Sequence, residues 1–346
     1  MSGAPRRDGG EPVTDIAIVG AGSWGTALAA HLARTGAAVT LCCHEAEVAD
    51  GIRRHRRNPL YLSDVELPPA VEATTDTRAV GGAALMVVAV PSEFFAATLA
   101  TLPVSTAPIV SATKGFDPRR HLRMSQLVAE RFPGARVAAL SGPTFAREVA
   151  FGRPAAAVVA SPDDALARDL QQRLGSREFR LYTNRDIVGV EVGGATKNVM
   201  AIATGLADGL GLGENARAAL VTRGLAEMTR LASALGGEPA TLAGLAGLGD
   251  LVLTATGSLS RNRALGMALA RGESLATARD ATRMIAEGVP TVRSALALAS
   301  PHGVALPICG EVAAVLFDGK PPAAALASLL GRATTREDAP VGGRDA

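Results

Sequence analysis

The feature that most constrains this chain is a short apolar run that stops on a glycine-rich turn and resumes as a helix. Ile16 to Val19 is apolar, Gly20-Ala21-Gly22-Ser23-Trp24-Gly25 follows, and Thr26 to Arg34 is Ala/Leu-rich and closes at Gly36. A strand, a GxGxxG turn and a helix in that order fit a dinucleotide-binding unit. Gly20 takes the tight turn. Gly22 lets backbone approach a pyrophosphate because no Cβ intrudes, and Gly25 lets helix and strand pack closely. The helix that follows aims free N–H groups and its positive dipole end at the phosphates. A purely structural glycine turn would use the same letters, and the strand and helix on either side favour the binding reading.

The alternation continues. Val39 to Cys43, Leu85 to Val90, Pro108 to Ala112 and Val137 to Leu140 are further apolar runs, followed by Ala155 to Ala160 and Phe179 to Tyr182. Strands alternating with helical segments predict a doubly wound parallel sheet covered on both faces. After about residue 188 the texture changes. Val199, Ile202, Leu206 and Leu210 recur at helical spacing, as do Leu220, Leu225, Met228, Leu231 and Leu235. The expected architecture is therefore a Rossmann-type α/β domain over 14–188 and an all-α domain over 189–335. Polar segments 1–13 and 336–346 read as disordered tails.

Composition excludes several classes. Lys plus Arg number 35 against 33 Asp plus Glu, a net charge of +2, with 3% aromatics. That gives no general drive toward nucleic acid or anionic lipid. Mean hydropathy is +0.22, carried by Ala and Val, without the run of about 18 to 20 apolar residues that a spanning helix needs. The N-terminus lacks an apolar signal-peptide region, and three cysteines make no disulfide framework. A cytoplasmic chain with reduced thiols is expected. The five histidines are scattered, so no metal site is expected.

Which dinucleotide binds turns on the end of the second strand. Glu45 lies near the offset of a ribose-binding acid but past His44. Arg53, Arg54, Arg56 and Arg57 follow, and a guanidinium there would hold a 2′-phosphate, which favours NADP over NAD. Most of these arginines would serve as a solvated basic loop.

A second constellation is spread along the chain. Lys114, in Ala112-Thr113-Lys114-Gly115, follows the fourth run, and Gly142-Pro143-Thr144-Phe145-Ala146 follows the fifth, both at the edge where open α/β sheets bind ligands. Gly193-Gly194-Ala195-Thr196-Lys197-Asn198 spends two glycines inside a helix, at about 1 kcal/mol each, so something must approach that backbone. Asp250 in Gly247-Leu248-Gly249-Asp250 would orient the Lys197 ammonium and hold it protonated. Ser260 is an N-cap candidate, and Arg261 in the first turn is a cation where the helix dipole favours an anion. Singly, each is an ordinary surface Lys, turn Asp or loop residue.

Together these blocks resemble bacterial NAD(P)-dependent glycerol-3-phosphate dehydrogenase, in family order from about residue 14 to 335. The resemblance implies a Rossmann domain followed by a helical domain like that of 6-phosphogluconate dehydrogenase. It implies interconversion of sn-glycerol 3-phosphate and dihydroxyacetone phosphate for glycerophospholipid synthesis. By the resemblance, Lys197 is the proton-transfer residue. Lys114, Gly142, Thr144, Lys197, Asp250, Ser260, Arg261 and Asn262 contact substrate, and Ser23, Trp24, His44, Lys114, Ala146, Arg261, Ile285 and Glu287 contact cofactor, beside Gly20, Gly22, Gly25 and Arg54 from the residues themselves. The substrate site is expected between the domains, with burial and Arg261 lowering the Lys197 pKa and Asp250 raising it. A homodimer is allowed by the sequence and not required by it. Two other readings stand: a β-hydroxyacid or ketopantoate-type reductase of the same plan, and a dinucleotide-binding redox sensor without turnover.

Overall fold

Eight strands build the sheet of the first unit: β1 (Ile16–Val19), β2 (Val39–Cys42), β3 (Val71–Thr74), β4 (Leu85–Val88), β5 (Ile109–Ser111), β6 (Val137–Ser141), β7 (Ala155–Ala160) and β8 (Phe179–Asn184). Every residue of β1, β2 and β4 is buried. A strand apolar on both faces belongs in a sheet covered on both faces, and each large apolar side chain buried there is worth about 1.5–3 kcal/mol. The computed structural model describes residues 15–280 and 286–332. The expected tails and Ile285 fall outside them.

The strand order is β3-β2-β1-β4-β5-β6-β7-β8. The chain winds outward from β1 to β3, then crosses back to β4 beside β1, which makes the β1/β4 border a topological switch point. Two features depart from expectation. β3 was not foreseen: it is a four-residue edge strand in which Val71 and Ala73 face inward and Glu72 is exposed, so it reads as alternation too short to stand out. The sheet is also not wholly parallel, since β6 and β7 run antiparallel. The link between them holds only the five-residue Ala146–Ala150 helix. That helix spans about 7.5 Å, too little to return the chain along the sheet as a parallel crossover requires.

The second unit is helical. It contains Ile187–Gly209, Gly213–Ala234, Asp250–Thr256, Arg261–Ala270, Gly288–Ala299, Pro307–Phe317 and Pro322–Leu330. Its core gathers Val199, Ile202, Met228, Leu231, Leu251 and Val292. The chain divides into 15–113 with Met124–Ile187, and Lys114–Arg123 with 188–332. Thus ten residues that follow β5 group with the helices rather than with the sheet. The reason is Phe116, wholly buried in the helical core.

Glycines set the helix spacing. A Cβ on Gly205 would lie 2.1 Å from the Arg263 carbonyl oxygen, and one on Gly266 would lie 2.2 Å from that of Ile202. The Ile187–Gly209 and Arg261–Ala270 helices therefore touch backbone to backbone. The apolar stretch Pro239–Thr256 has a mean hydropathy of 1.2 over 18 residues. It is not one continuous α-helix. A short helix, Pro239–Leu242, leads to a π-helical turn, Leu245–Gly249, and then to Asp250–Thr256.

Candidate active site

In the first unit the glycine turn is made by backbone. Gly20 has φ +106° and a Cβ there would sit 2.7 Å from the Ala89 carbonyl oxygen, just past β4. Only glycine fits that switch-point border. A Cβ on Gly25 would fall 1.8 Å from the Gly20 carbonyl oxygen, so helix α1 (Ser23–Arg34) starts hard against the turn. Gly22 differs: its Cβ would meet nothing within 4 Å, and it caps α1 without a side-chain hydrogen bond. Space and a helix N-terminus without a side-chain cap together suit a pyrophosphate. The Trp24 indole N–H beside them is buried and has no partner among the described residues. These observations fit a dinucleotide.

Asn58, which sequence reading passed over, braces the turn. Its fully buried carboxamide donates to the Ala21 carbonyl oxygen at 2.7 Å and to Thr26 Oγ1 at 2.8 Å, and accepts from the N–H groups of Leu60 and Tyr61. Ser23 Oγ donates to the Tyr61 carbonyl oxygen. The arginines sort themselves. Arg56, at φ 55°, donates to the carbonyl oxygens of Leu67, Pro68 and Val71 and is structural. Arg53 and Arg57 pair with Asp50 and Glu66 on the surface. Arg54 is exposed and, among the described residues, carries no hydrogen bond or ion pair, which leaves it available to a ligand. His44 is exposed as well. Glu45, at the ribose-acid offset, accepts from the Tyr61 hydroxyl at 2.6 Å.

At the end of β6, Gly142 has φ +139° and no room for a Cβ, which would lie 2.8 Å from the Ala157 Cα. The antiparallel turn to β7 requires this glycine. Thr144 Oγ1 donates back to the Gly142 carbonyl oxygen, and Ala146 starts the short helix, packed against the sheet core. The Ser141 hydroxyl beside them is buried and has no partner among the described residues.

The second unit assembles the charges. Asp250 is fully buried. One carboxylate oxygen accepts from Lys197 Nζ; the other accepts from Lys114 Nζ at 2.7 Å. Lys197 Nζ also donates to Thr254 Oγ1 at 2.7 Å, whose hydroxyl donates to the Asp250 carbonyl oxygen. The sequence explains how this comes together. Gly193 lies one turn before Lys197, and a Cβ on it would sit 2.8 Å from the Ala246 carbonyl oxygen. The long helix thus lies directly on the π-helical turn. Within that turn Gly247 passes so near Leu242 that a Cβ would meet its carbonyl oxygen at 2.0 Å. Gly193 brings the long helix onto the turn, Gly247 folds that turn back on Leu242, and Lys197 and Asp250, about one turn further along each, meet. Local π-helical geometry of this kind is frequent at functional sites.

Burial is the largest influence on Lys197. It strips water from the ammonium and pulls its pKa down, with Asp250 pulling up and Lys114 pushing down, to about 7. The neighbouring cation at work is Lys114, where sequence reading expected Arg261. Thr254 was missed. Its signal was present, because Asp250 and Thr254 are four apart on one helix face. A stronger signal was missed too. Only three of the 35 basic residues are lysine: Lys114, Lys197 and Lys320. Arginine stays charged in proteins, whereas a buried lysine titrates near neutrality, and two of the three meet at Asp250.

Ser260 caps its helix, accepting from the Arg263 N–H. Arg261 is exposed in the first turn with no hydrogen bond or ion pair among the described residues, and Glu287 is the carboxylate that acts on it. Asn262 was expected to touch substrate. Its carboxamide is committed internally instead: it donates to Asn198 Oδ1 at 2.9 Å and accepts from the Gly288 N–H at 3.0 Å. Its backbone N–H remains at the helix start.

A family model described as NAD-dependent glycerol-3-phosphate dehydrogenase N-terminus matches residues 15–167, and its C-terminal companion matches 186–327. Curated proteins named glycerol-3-phosphate dehydrogenase (NAD(P)+) are similar throughout. That of Koribacter versatilis is 49% identical, covering 93% of this chain and 98% of its own. That of Thiobacillus denitrificans is 50% identical, covering 92% and 98%. The crystal structure of glycerol-3-phosphate dehydrogenase from Coxiella burnetii superposes with a TM-score of 0.88 at 40% identity, covering 92% of this chain and 99% of that one. A ketopantoate reductase from Ralstonia eutropha reaches a TM-score of 0.59 at 19% identity, a likeness of fold alone.

Proposed function

The chain belongs to the NAD-dependent glycerol-3-phosphate dehydrogenase family, and from that premise we propose that it interconverts sn-glycerol 3-phosphate and dihydroxyacetone phosphate with NAD(P)(H), Lys197 moving the proton. The observation that carries this reading is the buried Lys197 amine, held by Asp250 and Thr254 with a pKa of about 7. The ketoreductase alternative has only a distant likeness of fold. The sensor alternative leaves a buried, titratable amine without a task.

When bound, the dinucleotide supplies or accepts the hydride at substrate C2. Gly20, Gly22 and Gly25, with the N-terminus of α1, would hold its pyrophosphate, Ser23 and Trp24 lying in the same turn. Arg54 would take a 2′-phosphate, the basis for favouring NADP, with His44 near the adenosine. Lys114, Ala146, Arg261 and Glu287 complete the proposed cofactor contacts. Gly142, Thr144, Lys114, Asp250, Ser260, Arg261 and Asn262 are proposed to shape the substrate site. For Asp250 this means holding two lysines, and for Asn262 a backbone N–H.

In ketone reduction the Lys197 ammonium gives its proton to the C2 oxygen. In alcohol oxidation the neutral amine takes it. An ammonium has three N–H donors, and Asp250 and Thr254 accept from Lys197, which leaves one for the substrate oxygen. A pKa near the working pH makes both forms available, the condition under which general acid–base catalysis is most effective. Arg261, with the N–H groups of the first turn, grips the phosphate. That remote binding energy fixes C2 in place.

The deciding assay follows reduced-nicotinamide absorbance with NADPH and NADH on dihydroxyacetone phosphate. Consumption is expected with at least one of them, and none with either would sink the assignment. Arg261→Ala is expected to cut kcat/KM for dihydroxyacetone phosphate at least tenfold, while barely changing that for unphosphorylated dihydroxyacetone. Equal losses would remove the phosphate role. We further propose that the enzyme works in the cytoplasm, supplying glycerophospholipid synthesis.

A further inference from the structure

The ten residues Lys114–Arg123 leave the sheet after β5 yet are built into the helical unit. They form a small closed segment. Phe116 bridges Arg123 antiparallel, the Asp117 N–H donates to the Leu122 carbonyl oxygen, and the His121 N–H donates to that of Asp117. Beyond the Lys114–Asp250 pair, contacts from Phe116, His121 and Arg123 dock the segment. The Phe116 ring fills the helical core. The His121 ring lies 3.1 Å from Ser294 Oγ on the Gly288–Ala299 helix. Arg123 donates to Glu191 on the Ile187–Gly209 helix at 2.7 Å, and the Glu191 side chain is 4% exposed.

A buried ion pair is a poor source of stability, because desolvation cancels much of its attraction. What it can do is fix geometry. Here it fixes the ends of the segment, where Lys114 stands. Glu191 and Lys197 share one helix, six residues apart, or about 9 Å of rise. The acceptor that fastens the segment and the amine it serves are thus on one rigid rod, and Lys114 reaches Asp250 from a point set along that rod.

We propose that Arg123, Glu191 and His121 are positioning residues that fasten the Lys114–Arg123 segment to the helices, hold the Lys114 ammonium on Asp250, and so set the surroundings of the Lys197 amine. The inference deepens the reaction proposed above and rests on it for its meaning. The charged groups acting on Lys197 are Asp250 and Lys114. The segment also carries Asp117, Arg119, Arg120 and His121, while Glu287 and Arg261 stand at the starts of the neighbouring helices. If the segment slackens, Lys114 withdraws, Asp250 acts on Lys197 alone, and the Lys197 ammonium holds its proton more tightly.

Lysine labelled with carbon-13 at Cε gives three signals from the full chain, since it has three lysines. Lys114→Gln and Lys197→Gln assign them. Following the Lys197 signal against pH, we expect a midpoint near 7 in the wild type. Arg123→Gln should raise it by about one unit, Lys114→Gln by at least as much, and Arg123→Lys should restore part of the difference. The pH limb for glycerol 3-phosphate oxidation should move upward in step. A midpoint unmoved in Arg123→Gln, or unmoved in Lys114→Gln, overturns the proposal. Should Arg123→Gln not fold, the isosteric Glu191→Gln is read in the same way, and an unmoved midpoint there has the same force. The titration needs no turnover, so a chain inert toward dihydroxyacetone phosphate would sink the reaction while leaving this segment to be judged by resonance alone.

Discussion

The glycine turn of the first unit and the lysine–aspartate cluster of the second solve opposite problems. The turn is made of backbone: its specificity lies in where a Cβ is forbidden, at Gly20 and Gly25, and where it is merely absent, at Gly22. The cluster is made of side chains, brought from positions 53 and 136 residues apart onto one carboxylate. A phosphate is recognised by geometry that glycine alone permits, so its signature is contiguous and can be read in a line. Proton transfer needs a perturbed amine, and perturbation needs neighbours from distant segments.

The largest expected effect falls on the cluster. Lys197→Met should lower kcat by about 10²–10⁴ and leave dinucleotide affinity near that of the wild type, measured by steady-state kinetics and fluorescence titration. A variant with normal turnover would erase the contrast drawn here. Next comes the turn. Gly25→Ala places a methyl group 1.8 Å from a carbonyl oxygen and should cost about 3 kcal/mol or more of stability as well as dinucleotide binding. Gly22→Ala meets no protein atom and should keep the wild-type melting temperature while weakening the dinucleotide. Equal melting losses in the two would mean that Gly22 is structural after all.

A pH series sharpens the comparison further. Above the Lys197 pKa of about 7, ketone reduction should fall as the ammonium is lost. Below it, alcohol oxidation should fall about tenfold per unit. Stability follows with a definite sign. The unfolded chain binds the Lys197 proton more tightly, so between about 7 and the ordinary 10.5 this residue makes the unfolding free energy rise with pH. Denaturant melts of wild type and Lys197→Met should therefore diverge in slope across that window; parallel slopes would remove the perturbed amine. The smallest effect belongs to Arg54→Ala, expected to weaken NADPH by about 1–2 kcal/mol and NADH hardly at all.

Much of this was legible beforehand, and the exceptions have reasons. The turn, the parallel strands and the helical second half follow from local pattern, while the meeting of Lys197 with Asp250 was only suggested, by glycines placed where a helix should not want them. β3 was hidden because an edge strand of four residues alternates instead of running apolar. The antiparallel β6–β7 pair depends on how far a short helix can carry the chain, which residue types do not announce. Asn58 looked like any other asparagine, since a carboxamide serves ligand and scaffold equally well. Lys114 was read as a ligand contact at the edge of the sheet. Its transfer to the helical unit rests on Phe116, one aromatic whose destination is a tertiary fact.

The π-helical turn at Leu245–Gly249 carries a last consequence, for chain length. Such a turn holds one residue more than an α-helical turn would. Leu248 within it is partly exposed, at 36%, and looks expendable. Deleting it while the wide turn keeps its hydrogen bonds would rotate Asp250 by about 100° about the helix axis, away from both amines. An alignment that tolerates substitution at this leucine should thus refuse a gap: it is a spacer, whose worth lies in being counted.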